Sequence, residues 1–195
     1  MSKTSAPRVK GAGIKSAFDF VQKRCGPDAM PQIVKSLSAD AQALWPHVLP
    51  SIWYPAQHLW SIWSECVNLN FVGVGRAEQT RFFKEMGRYI ANDNLSTVYR
   101  FILSMLSPDR MLEMMPRLWN TYFQGVEVNV NRVPGRKEGT VRVSGLGASY
   151  YLSPAATGWI EFAYEKCGSH AVVTEESWQE GKTFADPYVF RQRWQ

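Results

Sequence analysis

Residues 107–125 read SPDRMLEMMPRLWNTYFQG, and this stretch divides the chain. Ser107 belongs to the residue types that cap a helix N-terminus with a side-chain oxygen. Pro108 stands where a helix has no use for its N–H, and Asp109 places negative charge beside the positive helix end. Met111, Met115, Leu118 and Tyr122 recur at helical spacing, flanked by Leu112, Trp119 and Phe123. The predicted helix therefore carries a broad apolar face. Gly125 is its expected stop. Pro116 lies well inside, where it removes a backbone hydrogen bond and predicts a bend near Leu112.

Beyond this helix the period changes from helical to alternating. Val126, Val128 and Val130 alternate with Glu127, Asn129 and Asn131, Pro134-Gly135 turns the chain, and Thr140, Val141 and Val143 make a second strand. Alternation and turn residues together predict a β-hairpin. A helix opening at Pro154 and ending at Cys167-Gly168 follows, then two strands at residues 170–176 and 188–194.

Before residue 107 the pattern is helical. Apolar faces run through Ile14, Ala17, Phe18 and Val21, through Met30, Ile33 and Leu37, and through Ala41, Leu44 and Trp45. Longer helices are predicted from Pro55 to Asn68 and from Glu78 to Ala91. Asn92-Asp93-Asn94 reads as a break or a tight joint, with helical spacing resuming from Leu95 to Leu106. Trp53-Tyr54-Pro55 reads as a turn. Gly87 fits either a close helix crossing or a plain exposed glycine.

The expected fold class is α+β: an N-terminal helical layer followed by a ββαββ unit with a four-stranded antiparallel sheet. The expected organisation is a flexible basic tail at 1–12 and a single domain at 13–195, helical over 13–125 and ββαββ over 126–195. A length of 195 residues suits one domain.

Composition narrows the chemistry. The net charge of +5 is moderate, and part of it sits in Lys3, Arg8, Lys10 and Lys15. Such a charge permits attraction to nucleic acid without specifying it. Three cysteines, at 25, 66 and 167, argue against a disulfide framework and suit a reducing compartment. No run reaches the length of a membrane span, so a cytoplasmic location is expected. Phe71-Val72-Gly73-Val74-Gly75 lacks the third glycine and the Lys-Ser/Thr ending of a phosphate cradle. No spacing of the dispersed His and Cys residues suggests a metal site. Cys167 and His170 are three residues apart, and Glu161 and Glu165 read as a solvated helix side rather than an acid/base pair. No catalytic constellation emerges, and an enzyme is not expected.

The order of several short pieces is informative: Val9-Lys10-Gly11, residues 18–26, Trp53-Tyr54-Pro55, Gly87-Arg88, Pro108, residues 118–125, Gly158-Trp159 with Glu161, and Phe190-Arg191-Gln192-Arg193-Trp194. On these the chain resembles an uncharacterised family, numerous in myxobacteria, close to the 4-vinyl-reductase-like and heme–nitric-oxide-binding domains and to trafficking-complex subunits of the same fold group. The resemblance implies a helical layer before a ββαββ unit and an apolar cavity that senses or holds small molecules. It brings no catalytic residue. Relatives carry a Cys pair around the last glycine-containing loop; Ser177 and Tyr188 match those positions here and supply no thiolate. The heme-binding branch needs an axial histidine on the helix before the sheet and a Tyr-x-Ser-x-Arg run. No histidine occurs between Gly75 and Gly125, and Tyr150-Tyr151-Leu152-Ser153 is only superficially similar. The expectation is therefore that no cofactor is bound, with heme disfavoured.

The leading expectation is a non-enzymatic sensor or adaptor domain that binds a small apolar ligand or a protein partner. Its candidate ligand-lining residues are Trp53, Tyr54, Trp60, Trp63, Met111, Met115, Trp119 and Phe123, whose simplest reading is an ordinary core. A scaffolding protein acting through homodimeric or partner interfaces ranks second. Nucleic-acid binding through the basic tail and residues 132–137 ranks third.

Overall fold

The structure is a computed structural model, and it describes residues 6–45, 47–95, 103–147, 149–175 and 187–195. A short strand β1 (Arg8–Lys10) leads into α1 (Gly11–Cys25), α2 (Ala29–Lys35) and α3 (Ala39–Leu44). Strand β2 (Trp53–Pro55) precedes α4 (Ala56–Asn70) and α5 (Arg76–Asn94). Then come α6 (Pro108–Tyr122), β3 (Phe123–Gln124), β4 (Glu127–Arg132) and β5 (Glu138–Ser144). Helix α7 (Leu152–Lys166), β6 (Ala171–Glu175) and β7 (Tyr188–Trp194) complete the described chain.

The helical front and the ββαββ back are as expected. The back half forms a four-stranded antiparallel sheet in the order β4-β5-β7-β6. Val141 of β5 lies opposite Phe190 of β7, and Val173 of β6 opposite Gln192. Along β7, Tyr188, Phe190, Gln192 and Trp194 are buried in alternation, which is the period-two pattern of a sheet covered on one face.

Helix α6 has the predicted cap: the Arg110 N–H donates to Ser107 Oγ at 3.4 Å, with Pro108 in the first turn. Met111, Leu112, Met115, Leu118 and Trp119 are its buried residues. The helix stops at Tyr122, short of Gly125, because Phe123 and Gln124 leave as β3 to pair with β1. That pairing also corrects the expected tail. Arg8–Lys10 is the central strand of a second, three-stranded antiparallel sheet in the order β2-β1-β3, and Val9 is fully buried in it. Trp53-Tyr54-Pro55 is a strand of this sheet, not a turn. The break or joint expected at 92–94 falls at its far end, since these residues form the last turn of α5 and the chain becomes extended at Leu95. There Ser16 Oγ meets both Asp93 and Asn94, so these polar residues secure α5 to α1. Most of the helix expected over 95–106, and the Gly181-containing connection, lie outside the described residues.

Helices α5 and α7 form the most extensive helix–helix contact. A methyl group on Gly87 would overlap the Ala155 carbonyl, and one on Gly158 would overlap the Lys84 carbonyl. Only hydrogen at both positions lets the two backbones touch, which decides Gly87 as a close crossing. Ion pairs flank the seam: Lys84 Nζ to Glu161 at 2.8 Å, and both Arg88 guanidinium nitrogens to the two oxygens of Glu165 at 2.9 and 2.6 Å. Glu161 and Glu165 are therefore interhelical clamps rather than a purely solvated side.

Two outcomes are expected from this seam. Gly158→Ala forces backbone apart and should cost on the order of 3 kcal/mol in urea unfolding. The second concerns acid. The hydrogen bond from Arg88 is the main cause holding the Glu165 carboxyl below its ordinary value of 4.5. A lowered folded-state value stabilises above the unfolded value, and that stabilisation is lost as pH falls through the folded one. Glu165→Gln should thus be less stable than the parent at neutral pH, by about 0.5–1 kcal/mol for a half-exposed pair. It should also show a shallower loss of stability below pH 4.5.

Candidate functional site

A cavity of about 80 Å³ lies where α4, α5, α6 and α7 converge on β1 and β3. Its lining follows from residue size. Gly13, Gly87, Ala155 and Ala156 are too small to fill the junction, whereas Leu59, Trp63, Leu118, Trp119, Phe123 and Trp159 wall it. Tyr122 also borders it, with its hydroxyl directed to the Asn94 carbonyl at a long 3.5 Å and its ring edge-on to Trp159. The walls are almost wholly apolar. An apolar cavity of about 150 Å³ can stay dry and admit benzene or xenon, so this one suits a guest of a few atoms.

One polar atom stands out. Trp63 is 2 % exposed, and its indole Nε1–H finds no hydrogen-bond partner among the described residues. A buried donor left unsatisfied costs about 1–3 kcal/mol.

Of the expected lining residues, the structure brings Trp63, Trp119 and Phe123 to the cavity. Trp60 stands behind them, its ring 5.1 Å from that of Trp63 and 6.3 Å from that of Phe123. Tyr54 is buried elsewhere, its hydroxyl accepting from the Leu49 N–H at 3.0 Å. Trp53 lies half-buried on β2 beneath Lys10. Met111 and Met115 are fully buried core residues away from the cavity. The wall contributed by α7 was missed. Its small residues, Ala155 and Ala156, were visible in the sequence, but their meaning depends on the crossing partner.

The other candidate groups have structural roles. Cys167 Sγ donates to the Ala163 carbonyl at 3.4 Å, and burial pushes its thiol up to about 11. Arg132 of the basic run is paired with Asp109 at 2.9 Å. Among the described residues no group of three or more His, Cys, Asp or Glu could hold a metal ion. No described helix is long and apolar enough to cross a membrane.

No family model and no curated protein matches the sequence. Solved structures do match. The Fe(II) unliganded H-NOX protein from K. algicida aligns with a TM-score of 0.71 at 13% identity, over 95% of this chain and 96% of that one. An H-NOX protein from S. oneidensis in the Fe(II)NO ligation state aligns at 0.65 and 14% identity, over 95% and 99%. A mutant of T. tengcongensis H-NOX aligns at 0.65 and 14%, over 95% and 97%.

The chain has the H-NOX fold. The resemblance to the heme–nitric-oxide-binding group thus holds at the level of fold, and the narrower family is matched by no model.

These matches also correct the cofactor expectation. The solved neighbours are described with iron, as Fe(II), Fe(II)CO or Fe(II)NO, and this overturns the expectation that heme is disfavoured and no cofactor is bound. The residues present do not match histidine ligation at this cavity. His47 and His170 are exposed, His58 is half-buried on α4, and none of them lines it.

The walls should respond as a cavity does. Leu118→Ala enlarges the space and should lower stability by about 2–5 kcal/mol, read from the urea midpoint at unchanged slope.

Proposed function

We propose that the chain is a sensor domain that takes up a small uncharged molecule in the cavity between α4, α5 and α7, with the Trp63 indole as hydrogen-bond donor. The observation that carries this reading is the unpartnered Trp63 Nε1–H in an otherwise apolar wall. The fold supports it, since neighbours of the same fold are solved with NO or CO on iron. Heme enters the proposal as the cofactor those neighbours hold. At about 80 Å³ the cavity admits a porphyrin only if its walls part.

Two measurements test the proposal. Hemin titration of the purified chain should give a Soret band saturating at one equivalent if the sensor works through heme. Without such a band, CO or xenon should still shift the Trp63 indole resonance, and Ala156→Leu, which fills the cavity, should remove the shift while Met111→Leu keeps it. A silent Trp63 resonance together with no Soret band overturns the proposal.

A second reading is an interface role, drawn from Leu69 and Val72, which lie exposed together at the end of α4. Light scattering that shows a dimer lost in Val72→Lys would favour it.

A further inference from the structure

The three cysteines are far apart in sequence, yet the fold brings two of them together. Cys25 is the last residue of α1 and half-buried; Cys66 is fully buried on α4, which packs against α1, and each thiol is the other's main electrostatic partner. The same surface depression is bordered by Cys25 from α1 and by Asn70 from α4, whose amide donates to the Cys66 carbonyl at 3.0 Å. Arg24 and Arg81 also line that depression, alongside Glu78 and Glu85. One thiol is thus reachable from solvent and the other waits behind it.

The two thiols differ in acidity in the manner of an attacking and a resolving cysteine. The contact with Cys66 lowers Cys25 most, burial opposes it, and Arg24 lowers it further, leaving it at about 7. Cys66 moves the other way, raised by the same contact and by burial. A thiol near 7 is substantially ionised at neutral pH, which is the reactive form.

We propose that Cys25 and Cys66 are a reversible disulfide site, formed when the chain meets a low-molecular-weight disulfide such as oxidised glutathione. The Cys25 thiolate attacks one sulfur of the oxidant; the oxidant's S–S bond breaks, and the departing thiolate takes up a proton. The Cys66 thiol then gives its proton to solvent, and its sulfur attacks the Cys25 sulfur and expels the second small thiolate. Two protein thiols are oxidised and one disulfide is reduced to two thiols. The bond ties the end of α1 to α4. Both helices border the cavity, through Gly13 on one and Leu59 and Trp63 on the other, so oxidation fixes one wall relative to the next. The site stands whatever the cavity holds.

The test uses the full chain, incubated with oxidised glutathione and digested without reductant. The expected result is a cross-linked peptide pair joining Cys25 to Cys66, a fall in titratable thiols from three to one, and a rise in Tm on the order of 5–10 °C. Iodoacetamide should alkylate Cys25 of the reduced chain with a rate that rises through pH 7. Cys167→Ser should leave the cross-link intact, and Cys66→Ala should stall at a glutathione adduct on Cys25. Three free thiols after treatment, a lasting glutathione adduct on the parent chain, or a bond that uses Cys167 would each overturn the proposal. The digest of the parent protein distinguishes these outcomes even if a variant fails to fold.

Discussion

Where α5 crosses α7, Gly87 and Gly158 let carbonyl groups of one helix sit where a side chain of the other would otherwise stand. Close packing of this kind tolerates no compromise, because a protein interior is as dense as an organic crystal and displaced backbone has nowhere to go. The contact joins the helical layer to a helix that lies against the four-stranded sheet, as α6 also does. Lys84–Glu161 and Arg88–Glu165 fix the angle from outside the seam. With α5 and α7 locked, the positions of α1, which packs on α5, and of the sheet follow.

The cavity is a by-product of that same crossing. Helices brought together through small residues leave space just beyond the contact, and here Ala155 and Ala156 on one side and Ile90 on the other do not fill it. Large rings from α4, α6 and α7 then bridge over the gap instead of collapsing into it. Rigid aromatic walls keep a void open at less cost in side-chain entropy than flexible ones. The Trp63 indole N–H is the buried donor left without a partner in one of these wall residues.

The fold was legible because its signals are local. The Ser107 cap, the Pro134-Gly135 turn and the alternation of Val126, Val128 and Val130 each specify their own neighbourhood. Misread segments depended on partners far away in the chain. Val9 looks like part of a basic tail until Tyr54 and Phe123 are placed on either side of it. Asn92-Asp93-Asn94 looks like a break or a joint, and only the placement of Ser16 shows Asp93 and Asn94 held as the last turn of a helix. The site was legible only in its aromatics, since rings advertise themselves in a sequence and a missing side chain does not. Cys25 and Cys66 were likewise read as isolated thiols, since spacing along a chain says nothing about helices that come to lie side by side.

The order β2-β1-β3 in the small sheet has a kinetic consequence. Val9 must find Tyr54 within its own half of the chain and Phe123 across more than half of its length. Closing loops of that size costs entropy before any contact repays it, and topologies rich in such pairings fold slowly. The pairing of β1 with β3 is therefore expected to be a late step, and Val9 and Phe123 of these strands border the cavity. A late closure of this kind would leave the base of the pocket open until β1 pairs, so a guest larger than the finished space is best offered during refolding.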